Sequence, residues 1–303
     1  MLGVEELRQI VDQYGHDRSC RLKLCVDVLL YYDGGFKANA DGVVHFYREA
    51  LGLIGSAVTY YNTDGRELMR KRKRDTLEML PFWAEPTTEA RGIYGLRLES
   101  GPTARDVSDQ AFDSYDDRNG LGYVRLLLPL EFVADRGDAL VALALRAADR
   151  LRFASGSGGY AVNMDSDYQS QHPTGPVYAV SRRFRGIDFG TPNLLARFHA
   201  HGIKSVNWLT FLGEPYVTRL GGLATLKAAL GAEITVHELR HGVMIQAGPA
   251  PGLGDVNRQE RLPLYHRVGR VLAPVRFTQE VFKRYNEVGG GDNTAEWLAR
   301  FDQ

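Results

Sequence analysis

A chain of 303 residues with 37 Lys+Arg against 37 Asp+Glu carries a formal net charge of zero, and 44% of it is hydrophobic. That balance excludes attachment to nucleic acid or anionic lipid through an overall basic field, and the apolar content excludes a disordered chain. At this length folding buries roughly three quarters of the extended-chain surface, so one large domain or two joined halves can form without disulfide or metal.

Cys20 and Cys25 are the only cysteines. They fall five residues apart in one expected strand, which sends their side chains to opposite faces and forbids a bridge. Charged residues interrupt MLGVEELRQIVDQYGHDRS where a signal peptide needs an apolar stretch, and no 18-residue apolar run occurs. A soluble, reduced, cytoplasmic protein is expected.

In chain order, Leu22 to Tyr32 is an apolar, β-branched run that reads as a central strand, stopped at Asp33-Gly34-Gly35. Asp41 to Leu51 has helical spacing with Asp41 as N-cap, and Ala57 to Tyr61 returns to strand character before Asn62-Thr63-Asp64-Gly65 breaks it. Ile93 to Glu99 alternates, and Gly122 to Val133 is a second long strand with Pro129 limiting its pairing. Ala139 to Phe153 is the clearest helix. Gly156-Ser157-Gly158-Gly159 lacks the Gly-Lys-Ser/Thr ending of a phosphate loop and reads as a turn into a strand around Ala161 to Met164, followed by a polar loop through Pro176.

Further on, Ile203 to Leu212 reads as a strand, Leu220 to Leu230 as a helix stopped by Gly231, and Ile234 to Ala247 as a hairpin. Pro263 to Leu272 and Thr278 to Tyr285 read as amphipathic helices, and Thr294 to Phe301 as a terminal helix capped by Asn293 or Thr294. The mixture predicts an α+β fold, with mixed or antiparallel sheets packed with interspersed helices. It forms one domain over 1–303, with sub-halves at 1–165 and 166–303. Trp83, Trp208 and Trp297 are expected to be buried.

Three segments offer chemistry. His237-Glu238-Leu239-Arg240-His241 matches H-E-x-x-H, in which a helix would place both histidines on zinc and the glutamate as general base; its flanks even resemble thermolysin-like peptidases. Gly231, the β-branched Ile234-Thr235-Val236 and Gly242 instead favour a hairpin, which separates the two histidines. Arg66 to Asp75 holds six basic and two acidic residues and reads as a solvated helix face. Pro102 to Gly120 holds five aspartates against two arginines, with Phe112 and Tyr115 set among Asp106, Asp109, Asp113, Asp116 and Asp117. Aromatic anchors among carboxylates suit a basic groove on a partner, and a plain exposed loop is the alternative.

Gly186-Ile187-Asp188, Val206-Asn207-Trp208-Leu209-Thr210, Gly221-Gly222-Leu223, Gln246-Ala247-Gly248-Pro249, Gly254-Asp255-Val256-Asn257, Pro263-Leu264-Tyr265 and Leu272-Ala273-Pro274-Val275-Arg276 resemble the type VI secretion immunity family. That family is associated with nuclease toxins of the VRR-Nuc and related restriction-endonuclease-like kinds. Leu29-Leu30-Tyr31-Tyr32 is also similar, and the likeness is strongest from 186 to 276.

The resemblance implies a cytoplasmic protein without turnover, with no catalytic residue, cofactor or metal, that binds a cognate nuclease toxin stoichiometrically. It assigns the H-E-x-x-H segment to the strand before Gln246. The expected toxin-binding residues are therefore Asp106, Asp109, Phe112, Asp113, Tyr115, Asp116 and Asp117, which would mimic the charge of DNA; direct contact with nucleic acid or membrane is not expected. The other reading is a zinc metallopeptidase using His237, Glu238 and His241.

Overall fold

The computed structural model describes residues 6–9, 22–64, 69–117, 122–164, 176–189, 192–196, 201–278 and 291–302. Its frame is one ten-stranded antiparallel sheet in the order β3-β2-β4-β5-β6-β1-β7-β8-β10-β9. The strands are β1 Leu22–Tyr32, β2 Tyr60–Thr63, β3 Arg70–Lys71, β4 Tyr94–Glu99, β5 Ala111–Asp116 and β6 Gly122–Leu128. After them come β7 Phe153–Met164, β8 Leu209–Gly213, β9 Thr235–Leu239 and β10 Gly242–Gln246. The α+β expectation is borne out. β1 is the interior strand its composition predicts, paired to β6 on one side and β7 on the other. The 1–165 and 166–303 stretches share this sheet through the β7–β8 ladder, from Ser155 opposite Leu212 to Gly158 opposite Leu209.

Helix α1, Gly35–Ile54, begins six residues before its periodic core. Gly34 takes the left-handed conformation (φ 83°) that lets the chain turn out of β1 into the helix. Asp41 therefore lies within α1 and does not cap it. α2 is Met79–Ala84, and both helices cover one face of the sheet: Phe36 of α1 stacks on Tyr94 with centroids 4.3 Å apart, and Trp83 of α2 meets the same ring at 6.5 Å.

Pro129 ends β6 at Leu128, and the following Glu131–Arg150 forms α3, so Phe132 and Val133 belong to a helix and not to the expected strand. The chain leaves helical geometry at Arg136 and resumes it through Arg150, while Phe153 opens β7. The glycine run 156–159 is also corrected: it lies inside β7 and is no turn. A Cβ at Gly156 would collide with the Leu29 carbonyl, and one at Gly159 with the Asn207 side chain. The glycines serve close backbone approach.

Further helices among the described residues are α4 Pro176–Arg183, α5 Pro192–Ala196, α6 Glu214–Arg219, α7 Leu223–Leu230, α8 Pro263–Leu272 and α9 Gly291–Leu298. Ladder pairing of β8 starts only at Leu209, because Asn207 and Thr210 close a local turn: the Trp208 N–H donates to the Asn207 side chain at 2.7 Å and the Asn207 N–H to the Thr210 hydroxyl at 3.2 Å. Gly231 ends α7 at φ 76°, as expected. Asn293 and Thr294 lie inside α9 and do not cap it. The turn at Asn62-Thr63 comes later than expected, since both residues still pair with β4. Trp83, Trp208 and Trp297 are all buried. Cys20 and the expected helix after Thr278 lie outside the described residues.

Candidate functional site

The acidic segment does not form one surface. Its first part is a turn in which the half-buried Asp106 carboxylate accepts the Thr103 N–H at 2.9 Å. Asp109 lies 3.6 Å from Arg8, a cation that also pairs with Glu131 at 2.8 Å. From Ala111 the chain is β5, and strand alternation then sorts the side chains by parity. Phe112 points into the helical layer, fully buried, 5.0 Å from Tyr47 and 6.2 Å from Phe46 between ring centroids. Asp116, on the same parity, is buried, and burial pushes its carboxyl up to about 7 against the opposing influence of the Tyr32 hydroxyl.

Asp113 and Tyr115 face the other way and stay half-exposed. Asp113 accepts a 2.9 Å hydrogen bond from Tyr123, yet burial raises its carboxyl above the ordinary range despite the nearby Arg97. Tyr115 stacks on Tyr123 at 6.3 Å. Asp117 is half-buried at the strand's end. Phe112 and Asp116 are therefore corrected from partner contacts to interior groups: a side chain without exposure cannot meet a partner while the fold is intact. Asp106, Asp109, Asp113, Tyr115 and Asp117 retain exposure.

The face that carries Asp113 also carries a buried ionic layer absent from the sequence reading. The strand register sets Arg97, Asp113 and Arg125 directly opposite one another, an arrangement in which alternating charge favours cross-strand pairing. Arg97 reaches Glu99 at 2.6 Å, and the other Glu99 oxygen accepts the Ser108 hydroxyl at 2.6 Å. Arg125 pairs with Asp27 at 2.7 Å and donates to the Val162 carbonyl at 3.1 Å. Lys204 pairs with Asp188 at 2.7 Å, and Ser157 donates to the same carboxylate.

These ions are costly to bury and are held by reciprocal pairing. The compensation at Asp27 is incomplete: burial lifts its carboxyl to about 6, Arg125 opposes that, and Asp188 adds to it. Among the described residues, one buried Asp27 oxygen has no hydrogen-bond partner. A signal for this layer was present in the sequence, since Asp27 interrupts LKLCVDVLLYY and Arg125 interrupts GYVRLLL. Charges inside apolar strands are rarely buried unpaired.

The H-E-x-x-H segment is a hairpin. His237 sits opposite Met244 and Glu238 opposite Val243, with His241 beyond the end of β9. The His237 Nε2 lies 2.9 Å from the Gln246 side-chain oxygen, while Glu238 pairs with Lys227 at 2.7 Å. His237 thus lies in a strand and His241 in the turn that follows it. The pair therefore lacks the shared helical face on which a zinc site of this motif depends. Among the described residues no group of three His, Cys, Asp or Glu side chains is placed to hold a metal.

The basic segment also departs from its reading. Its described part, 69–75, is no helix face but supplies β3 at the sheet edge, followed by a turn, and residues 70–75 are all exposed. Arg72 donates to the Gly55 carbonyl at 2.9 Å. Lysine and arginine on a short edge strand discourage pairing with another chain.

A broad antiparallel sheet with helices against it is an α+β fold that a solved type VI secretion protein shares. Pseudomonas aeruginosa T6SS protein PA0821 shares the fold with a TM-score of 0.80 at 23% identity, over 99% of this chain and 91% of that one. The family model TsiV, described as type VI immunity for VRR-NUC, matches residues 86–301, and the chain belongs to that family. It is an immunity protein of type VI secretion whose partner is a cognate nuclease effector. No curated protein matches the chain. Among the described residues no helix is long and apolar enough to cross a membrane.

Proposed function

We propose that the protein neutralises its toxin without turnover, as a one-to-one inhibitor that binds the nuclease in the cytoplasm and keeps DNA from its active site. Family membership over residues 86–301 carries this reading. The hairpin geometry of His237 to His241 supports it by removing the support for a peptidase. Residues 1–303 act as one domain built on the continuous sheet.

We further propose that the toxin meets the part of the acidic segment that reaches solvent: Asp106, Asp109, Asp113, Tyr115 and Asp117. A nuclease groove that binds phosphates is basic, and carboxylates flanking an aromatic ring complement it. Asp106 and Asp117 stand at the two ends of this half-exposed stretch, so reversing their charges samples its whole length. The test is toxin affinity of an Asp106→Lys, Asp117→Lys variant at low and physiological salt. Binding at least about tenfold weaker, with the loss shrinking as salt rises, is expected for screened charges. Unchanged affinity at both salts removes this surface while leaving the immunity role standing.

A further inference from the structure

A cavity of about 350 Å³ opens where α8 begins, lined by Arg185, Glu260, Arg261, Leu262, Pro263 and His266. None of these residues takes part in the acidic segment or the ionic layer. The size matters first: it lies at the lower end of the ~300–1,000 Å³ range typical of small-molecule sites and is far larger than the ~30 Å³ share of one water.

The charge of the lining is unbalanced. Several arginines elsewhere are matched to carboxylates, as Arg125 is to Asp27, Arg183 to Asp255 and Arg146 to Glu49. Among the described residues the Arg185 and Arg261 guanidinium groups have no hydrogen bond or ion pair. Arg185 is held by its backbone alone, its N–H donating to Gly254 and its carbonyl accepting from Arg300. The single carboxylate in the lining, Glu260, is turned to the Asp255 N–H at 3.2 Å.

His266 adds a third polar group. A helical side chain leans back over the turn before it, which carries this ring toward the cavity. The ring packs edge-on against Phe301 at 5.4 Å, and among the described residues its buried Nδ1 has no hydrogen-bond partner. Leu262 and Pro263 give the cavity an apolar wall, so the site is more than a place for a bare ion.

We propose that this cavity binds a small organic oxyanion, a phosphate monoester or a polycarboxylate, with Arg185 and Arg261 as its anion-holding residues and His266 as an additional hydrogen-bonding group. Guanidinium groups present paired N–H donors matched to both oxyanions, and two of them against the one carboxylate of Glu260 give the lining a net positive charge.

The experiment is a calorimetric titration of the full chain with adenosine monophosphate and, separately, with citrate, at fixed ionic strength and with chloride as the control anion. Saturable binding of either probe with Kd below about 1 mM is expected, weakened at least about tenfold in an Arg185→Gln, Arg261→Gln variant. Arg240→Gln, at the β9–β10 turn, should leave it unchanged. Binding of adenosine monophosphate alone assigns the site to phosphate, and of citrate alone to carboxylate. The double variant should keep the parent melting temperature, because neither guanidinium holds a partner among the described residues. Failure of both probes to saturate, or parent-like binding by the double variant, overturns the proposal.

Discussion

The acidic segment at 102–117 and the basic segment at 70–75 have charge of similar size and opposite sign, and the fold treats them oppositely. The basic residues all stand in solvent on an edge strand and the turn after it. The aspartates are largely absorbed: Asp106 closes a turn, Asp109 meets Arg8, Asp113 meets Tyr123 and Asp116 is buried. Local net charge in a sequence therefore measures neither what a surface displays nor how strongly it attracts a partner. Strand position decides that. β5 lies between β4 and β6, so both its faces have neighbours to meet, while β3 has one neighbour and no charged partner opposite it.

The sharpest way to break this contrast is to remove an interior ion. Arg125→Met leaves Asp27 buried without its partner, and loss of one member of such a pair costs about 3–5 kcal/mol. Urea unfolding should show that loss, whereas Arg70→Met on the edge strand should stay within about 0.5 kcal/mol. Equal effects at the two positions would erase the distinction between them.

Phe112→Ala is expected to be nearly as damaging, about 3–5 kcal/mol, as a deletion from the packed layer against Phe46 and Tyr47. A loss below about 1 kcal/mol would return Phe112 to the surface as a candidate anchor. Toxin binding by the refolded variant should be parental.

The next effect is a dependence on pH. Asp27 and Asp116 titrate in the folded protein near 6 and 7, above the 3.8 of an unperturbed aspartate. Over that window the folded state binds more protons than the unfolded one, so stability falls as pH rises from about 4 to 7, by at most about 1.4 kcal/mol per pH unit for each group. Asp116→Asn should flatten the fall between about 6 and 7, where Asp116 titrates. Urea midpoints measured at several pH values check this, and a stability that rises through the window contradicts the assignment.

The smallest expected effect is at the motif with the most suggestive spelling. His237→Ala removes one hydrogen bond to Gln246 and should cost about 1 kcal/mol in thermal unfolding. Its zinc content should match that of the parent protein.

Much of the frame was legible because its cues are local. The uninterrupted apolar run of β1, the β-branched residues around Gly242 in the hairpin and the Gly231 stop each act on the chain beside them. What was not legible depends on distant partners. The Gly156–Gly159 run looks like a turn until Leu29 and Asn207 are brought against it, and 203–208 looks like strand until Asn207 and Thr210 fold back on the backbone. The acidic segment shows the same limit. Its residues alternate in period two, as a strand requires, but five aspartates hid that pattern, and the cross-strand positions of Arg97 and Arg125 explain why Asp113 can sit half-buried beside the ionic layer.

The most direct test of the central claim is a titration of purified toxin with this protein while DNA cleavage is followed. Inhibition that rises linearly and is complete at one equivalent, with a one-to-one complex isolated from the same mixture, is the predicted result. Full protection at far less than one equivalent would show turnover, and no protection at excess would show that this protein does not act on the nuclease directly; either contradicts neutralisation by stoichiometric binding.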